Sequence, residues 1–206
     1  MRVLLNLTML PYEKYHVFNH ANGRENLFLE QKNYAFFLDK IKIYLLPVCK
    51  LFSYCLMPNH FHLVLEVCSE EELFLRWQKP GSKSGFSEKE LELKISRSFG
   101  NLFSSYTQAF NKVYNRKGSL FIPSMKSELI KDDNSFCKVV HYTHANPVHH
   151  GFTKKMEEWP HSSYHAYLSD NMTKLEREYV LNVFGGKDAF LKYHEQPIDI
   201  KYKFIE

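Results

Sequence analysis

Two histidines one residue apart, His60 and His62, and a tyrosine and an asparagine four apart, Tyr142 and Asn146, are the side chains best able to do chemistry in this chain. A strand alternates its faces, so His60 and His62 project from one side while Phe61 and Leu63 project from the other. Two imidazoles aimed at one point suit a divalent ion. Residues four apart on a helix stack on one face, so Tyr142 and Asn146 point together. Asn146 directly precedes Pro147, a position biased away from helical backbone, which can aim its amide oxygen as a third ligand. A tyrosine phenol ionises near pH 10, yet it is a competent nucleophile toward a phosphodiester once the developing charge is stabilised. A phosphotyrosine bond conserves the energy of the bond it replaces and can be reversed.

Each feature has a plainer account. An exposed strand face can carry two histidines by accident, and 13 tyrosines leave room for one at the edge of a core. Glu66 shares the face of the pair but sits further along the strand and reads as a solvated carboxylate.

The elements that would position these groups can be traced by hydrophobic period. Tyr12 to Asn19 is the first strand, followed by the turn signal Asn22-Gly23. From Glu30 to Leu46, Tyr34, Phe37, Leu38, Ile41 and Leu45 recur at helical spacing, ending at Pro47. Leu51 to Met57, the turn Pro58-Asn59, and His60 to Val67 form a hairpin. Residues 69–98 read as a surface insertion, with Lys79 to Gly85 a flexible loop and a charged helix after Ser87. Phe99, Leu102, Phe103, Tyr106, Phe110 and Tyr114 define the second helix, closed by Gly118. Leu120 to Ile130 is a fourth strand, bent at Pro123. Asp132 to Ser135 offers caps for a third helix, with Phe136, Val139, Val140 and Thr143 inward until Pro147 stops it. Thr173-Lys-Leu-Glu176 is a capping box for a tail helix to Phe184. Gly185-Gly186 and a short helix from Ala189 to His194 follow. The order is β-α-β-β-α-β-α with a helical appendage. We expect one domain over residues 1–150 and a C-terminal extension over 151–206.

Composition is consistent with this. The 206 residues are 44% hydrophobic and 16% aromatic, enough to fill a core and unlike a disordered chain. The formal charge of +4 permits a polyanionic partner without requiring one. Cys49, Cys55, Cys68 and Cys137 form no C-x-x-C pair, which points to free thiols in a reducing compartment. The apolar start, Val3 to Leu10, lacks a cleavage site, and no run reaches the ~20 residues that span a bilayer. A cytoplasmic protein without a membrane partner is expected.

Tyr54-Cys-Leu-Met-Pro-Asn-His-Phe-His-Leu-Val64 resembles the signature of the REP-associated tyrosine transposases, within the single-tyrosine HUH transposase superfamily. Tyr15-His-Val-Phe-Asn19, Gly118-Ser-Leu-Phe121, His141-Tyr-Thr-His-Ala-Asn-Pro-Val148 and Trp159-Pro-His-Ser-Ser-Tyr-His-Ala-Tyr167 agree in order, so the likeness spans roughly residues 12 to 167. Two positions depart from it: Asn19-His20-Ala21 stands where relatives often carry Asn-Arg-Gly, and Ser124-Met125 where a basic residue and an aromatic are usual.

The resemblance implies an α+β fold, a ferredoxin-like antiparallel sheet with helices on one face and the active site on the other. It implies His60, His62 and Asn146 as ligands of Mg2+ or Mn2+, and Tyr142 as the nucleophile that becomes linked to a DNA 5′ phosphate. The implied substrate is single-stranded DNA bearing a hairpin or palindromic repeat, which the enzyme nicks and joins. Arg116, Lys117, Lys126 and Lys131, on or beside the fourth strand, are the expected DNA contacts. A monomer and a homodimer sharing tyrosine helices both stay open. The alternatives are a domesticated protein that holds DNA hairpins without cutting them, and a metal hydrolase using water in place of Tyr142.

Overall fold

A computed structural model describes residues 9–77, 85–123 and 125–198. Four strands, β1 (Lys14–His20), β2 (Cys49–Leu56), β3 (His60–Val67) and β4 (Lys126–Ile130), form one sheet in the order β2-β3-β1-β4. All three pairings are antiparallel. With α1 (Gln31–Tyr44) between β1 and β2, and α3 (Glu88–Val113) between β3 and β4, this is the ferredoxin-like arrangement expected from the sequence.

Strand alternation divides the buried side chains into two cores. Tyr15 and Val17 of β1, with Phe61, Leu63, Leu65 and Val67 of β3, meet Phe37 and Ile41 of α1 and the Leu91, Ile95, Phe99, Leu102, Tyr106 and Phe110 stripe of α3. The opposite face carries His16, Phe18 and His20 of β1 and His60, His62 and Val64 of β3. It is covered by α4 (Asp133–His149) and the C-terminal helices α5 (Tyr164–Leu168), α6 (Arg177–Phe184) and α7 (Lys187–His194). A bulge between Leu51 and Ser53 adds Phe52 to β2, and its ring packs edge-on against Phe136 of α4 at 5.1 Å between centroids.

Several expectations change. The fourth strand, expected over Leu120 to Ile130, is confined to Lys126–Ile130, and Thr173-Lys-Leu-Glu176 is not a capping box, since α6 begins at Arg177 and Glu176 caps it without a side-chain hydrogen bond. Residues 69–98 are not simply a surface insertion. A short helix α2 (Glu70–Trp77) buries Leu73, and the helix beginning after Ser87 is continuous with the second helix. Ser87 and Glu90 form a capping box at its start, and Leu91 and Ile95 continue the buried stripe across Gly100. Most of the loop expected over Lys79 to Gly85 lies outside the described residues, as does most of the apolar start from Val3 to Leu10. Pro147 does not stop its helix. α4 runs on to His149, so Asn146 stays helical, and the last turn closes through His150 N–H to the Asn146 carbonyl at 3.0 Å. Packing on both sides outweighs the local preference, because α4 is sandwiched between the sheet and the tail helices. The C-terminal extension supplies Tyr164, Tyr167, Val180 and Phe190 to the second core together with Phe52, Val64 and Ile130 of the sheet, so it completes the wall behind α4.

Among the described residues no helix is long and apolar enough to cross a membrane.

Candidate metal and tyrosine site

β3 and β1 pair with His62 opposite Phe18 and His60 opposite His20, so four histidines and a phenylalanine share the face beneath α4. His60 and His62 are both buried. Each has its Nδ1 engaged and its Nε2 directed at α4. His60 Nδ1 lies 2.8 Å from Asn59 Oδ1, and His62 Nδ1 lies 2.9 Å from His16 Nε2. The Asn146 amide meets both inner nitrogens, with Oδ1 2.9 Å from His60 Nε2 and Nδ2 3.2 Å from His62 Nε2.

Asn59 Oδ1 and Asn146 Oδ1 can both only accept, so a neutral His60 donates to one of them and faces the other lone pair to lone pair. A cation between two acceptors relieves that contact. His62 accepts at Nε2 from the Asn146 amide N–H, so its own proton is on Nδ1. Burial first, then the neighbouring His16, His60, His20 and His150 rings, hold the His62 imidazole well below its ordinary range, which keeps it neutral with a lone pair to donate. Burial likewise lowers His16 to about 3. Among the described residues no three His, Cys, Asp or Glu side chains are grouped to hold a metal. A cation here would therefore take two imidazole nitrogens and an amide oxygen, an uncharged set that leaves positions open to a phosphate.

Tyr142, one helical turn before Asn146, is buried with its ring edge-on to His62, 5.5 Å between centroids, and 6.2 Å from His16. The tyrosine, the histidine pair and the asparagine are thus brought together from two elements 84 and 86 positions apart in their contacts. A cleft of about 120 Å³ opens beside Tyr142, lined by Lys138, His141, Tyr193, Gln196, Pro197 and Ile198. His149 and His150, at the end of α4, approach Tyr142 and His60 at 6.3 and 5.2 Å between ring centroids.

Of the four cationic candidates, Lys126 pairs with Phe18 in the β1–β4 register and therefore lies on the histidine face, exposed at the sheet edge. Lys117 and Lys131 are exposed on the connections flanking β4. Arg116 also has a structural task. Its guanidinium pairs with Glu25 and donates to the Gly118 and Ser119 carbonyls and to Asn111, bracing the loop ahead of β4. Glu66 is held between Lys14 and Lys50, away from the pair.

Sequence reasoning passed over Asn59, His16, His20, Lys138, His149 and His150. For His16 and His20 the signal was available: with Phe18 they alternate along β1 on the face opposite Val17. What it lacked was the cross-strand register.

A second histidine chain anchors α4 from behind. His194 Nδ1–H donates to the Phe190 carbonyl at 2.8 Å and its Nε2 accepts from His144 Nδ1–H at 2.9 Å. His144 Nε2 in turn accepts from the Ser163 hydroxyl at 2.8 Å. Burial lowers His194 to about 3 and His141 to about 4, and drives His144 down in the same direction. These groups are neutral when folded but protonate near pH 6.5 in the unfolded chain. The unfolded state then binds more protons below that value, and stability falls with pH. Between pH 7.5 and 5 the loss is expected to be about 2 kcal/mol for each of His141 and His194. Urea midpoints at the two pH values measure it, and midpoints that coincide would contradict the buried neutral state.

The ferredoxin-like sheet presents a His-hydrophobic-His pair to a helix-borne tyrosine and a polar amide, the combination that the motif resemblance implied. Comparison with known proteins bears out the particular resemblance read from the motifs. A Haemophilus influenzae protein provisionally named a REP-associated tyrosine transposase is 25% identical over 113 residues, 54% of this chain and 56% of that protein. The match thus spans a little over half of the curated relative. The solved structure of a REP-associated tyrosine transposase bound to a REP hairpin superposes with a TM-score of 0.55 at 17% identity, covering 79% of this chain and 82% of the other, which establishes the common fold. No family model matches the chain.

Proposed function

We propose that this chain is a metal-dependent nuclease and strand transferase that cuts single-stranded DNA beside hairpins through a 5′-phosphotyrosine intermediate. The observation that carries the reading is the convergence of His60 Nε2, His62 Nε2 and the Asn146 amide beneath the Tyr142 ring. The similar proteins, one named as a transposase and one a transposase bound to a REP hairpin, agree with it.

His60, His62 and Asn146 would hold Mg2+ or Mn2+. When bound, such an ion withdraws charge from the non-bridging oxygens of the scissile phosphate. Tyr142 Oη attacks phosphorus and loses its proton. The O–P bond forms as the bond to the 3′ oxygen breaks, and that oxygen leaves as a hydroxyl after taking up a proton. Reversal with a different 3′ hydroxyl joins strands. Burial of the Tyr142 ring against His62 limits its motion and orients the hydroxyl.

The test is incubation with end-labelled hairpin-tailed single strands, with and without Mn2+, resolved on a denaturing gel. A metal-dependent protein–DNA adduct is expected. Hairpin binding without an adduct across many hairpins would replace this reading with that of a non-cleaving binding protein.

Lys126, on the histidine face, is the cation we assign to the phosphate backbone. Lys126→Ala is expected to weaken hairpin affinity by roughly tenfold at low salt and to reduce the slope of log affinity against log salt by about one. An unchanged salt slope would remove Lys126 from the interface.

A further inference from the structure

An imidazole can serve a cation only through the nitrogen that lacks a proton, so a preorganised ligand histidine needs a partner that keeps its proton on the far nitrogen. For His62 that partner comes from another strand, 46 positions earlier: His16 Nε2 lies 2.9 Å from His62 Nδ1. The direction of the bond follows from the other side of the ring, where the Asn146 amide donates into His62 Nε2 at 3.2 Å. His62 therefore donates from Nδ1 and His16 accepts at Nε2. The two rings lie nearly parallel, 10° apart with centroids at 5.1 Å, and Phe18 stacks on both, at 5.0 Å from His16 and 5.7 Å from His62. His16 is fully buried on β1, in the interior of the sheet.

We propose that His16 is a positioning residue that locks His62 in the Nδ1–H tautomer, presenting the Nε2 lone pair to the cation. The inference rests on the metal reading given above. Carboxylates and backbone carbonyls commonly fill this place beside ligand histidines. A neutral ring in the same place adds no negative charge, so the set of His60, His62 and Asn146 stays uncharged and a bound ion retains its full charge toward phosphate.

The experiment uses the full chain labelled with 15N at histidine, with two readouts. One is the protonation pattern of the His62 ring nitrogens by NMR in metal-free protein. The other is the affinity for Mn2+ alone, from the free-ion signal in electron paramagnetic resonance. Wild type is expected to show a single His62 tautomer with bare Nε2. H16F, which keeps the ring stack but removes the acceptor, is expected to lose that single pattern and to bind Mn2+ about 10- to 100-fold more weakly. H16Q, which restores a neutral acceptor, is expected to return both readouts toward wild type. An H16F protein with the wild-type His62 pattern and Mn2+ affinity within about twofold of wild type overturns the proposal. So does a folded H16Q that has lost both, which keeps the question decidable if H16F does not fold. Absence of Mn2+ uptake by wild type would sink the metal reading instead, and the tautomer pattern would still decide whether His16 orients His62.

Discussion

Tyr142→Phe is expected to eliminate the covalent protein–DNA adduct while leaving hairpin binding within about twofold of wild type. The substitution deletes one oxygen and keeps the ring that packs edge-on to His62 and His16, so that packing is retained. What it removes is the only atom that forms the new bond to phosphorus in the proposed reaction. Loss of a nucleophile of this kind lowers the rate by at least about 10⁴-fold, equivalent to roughly 5 kcal/mol or more in the barrier. Adduct formation on a denaturing gel and hairpin affinity by anisotropy separate chemistry from recognition. An adduct that persists in the variant would refute the assignment of Tyr142. Cleavage that persists without any adduct would point to water as the nucleophile.

The second large effect is expected at His62. His62→Ala should abolish metal stimulation of cleavage, a loss on the order of 10³-fold, because one of the two imidazole donors disappears and the ion can no longer be held opposite the tyrosine. This variant also disturbs the fold. His62 is fully buried, and its removal leaves the nitrogen of His16 and the amide of Asn146 that it now engages without their partner. A stability cost of about 1–3 kcal/mol follows from those unmatched polar atoms. Thermal unfolding by circular dichroism must therefore accompany the assay, at a temperature where the variant is still folded. His62→Ala cleaving at the wild-type rate with the same Mn2+ dependence would exclude His62 as a ligand.

The two effects differ in kind. Tyr142→Phe should spare Mn2+ binding, since no ligand is touched, whereas His62→Ala should lose it. A matrix of two variants against two readouts, metal uptake and adduct, thus distinguishes a failed nucleophile assignment from a failed metal assignment.

The sequence by itself determined the local elements and which residues share a face. The pair at His60 and His62 is set by strand alternation, and the four-residue step from Tyr142 to Asn146 by the helical turn. Both are short-range properties written in a few consecutive positions. The β-α-β-β-α-β-α order followed from the hydrophobic periods, and the motif resemblance supplied the ferredoxin-like sheet and the chemistry that periodicity could not.

What the tertiary structure decided lies in long-range register and packing. The β1–β3 pairing puts His16 beside His62 and His20 beside His60, a relation no window of either strand contains. Packing on both sides carried α4 through Pro147 and kept Asn146 helical, against the local rule that a residue before proline leaves the helix. The stripe of α3 extended back to Leu91 because a core was there to receive it. Arg116 is tied to Glu25, 91 positions away, a pairing that no local window contains. In each case the deciding partner is distant in sequence, so the free energy that fixes the outcome exists only once the chain has folded.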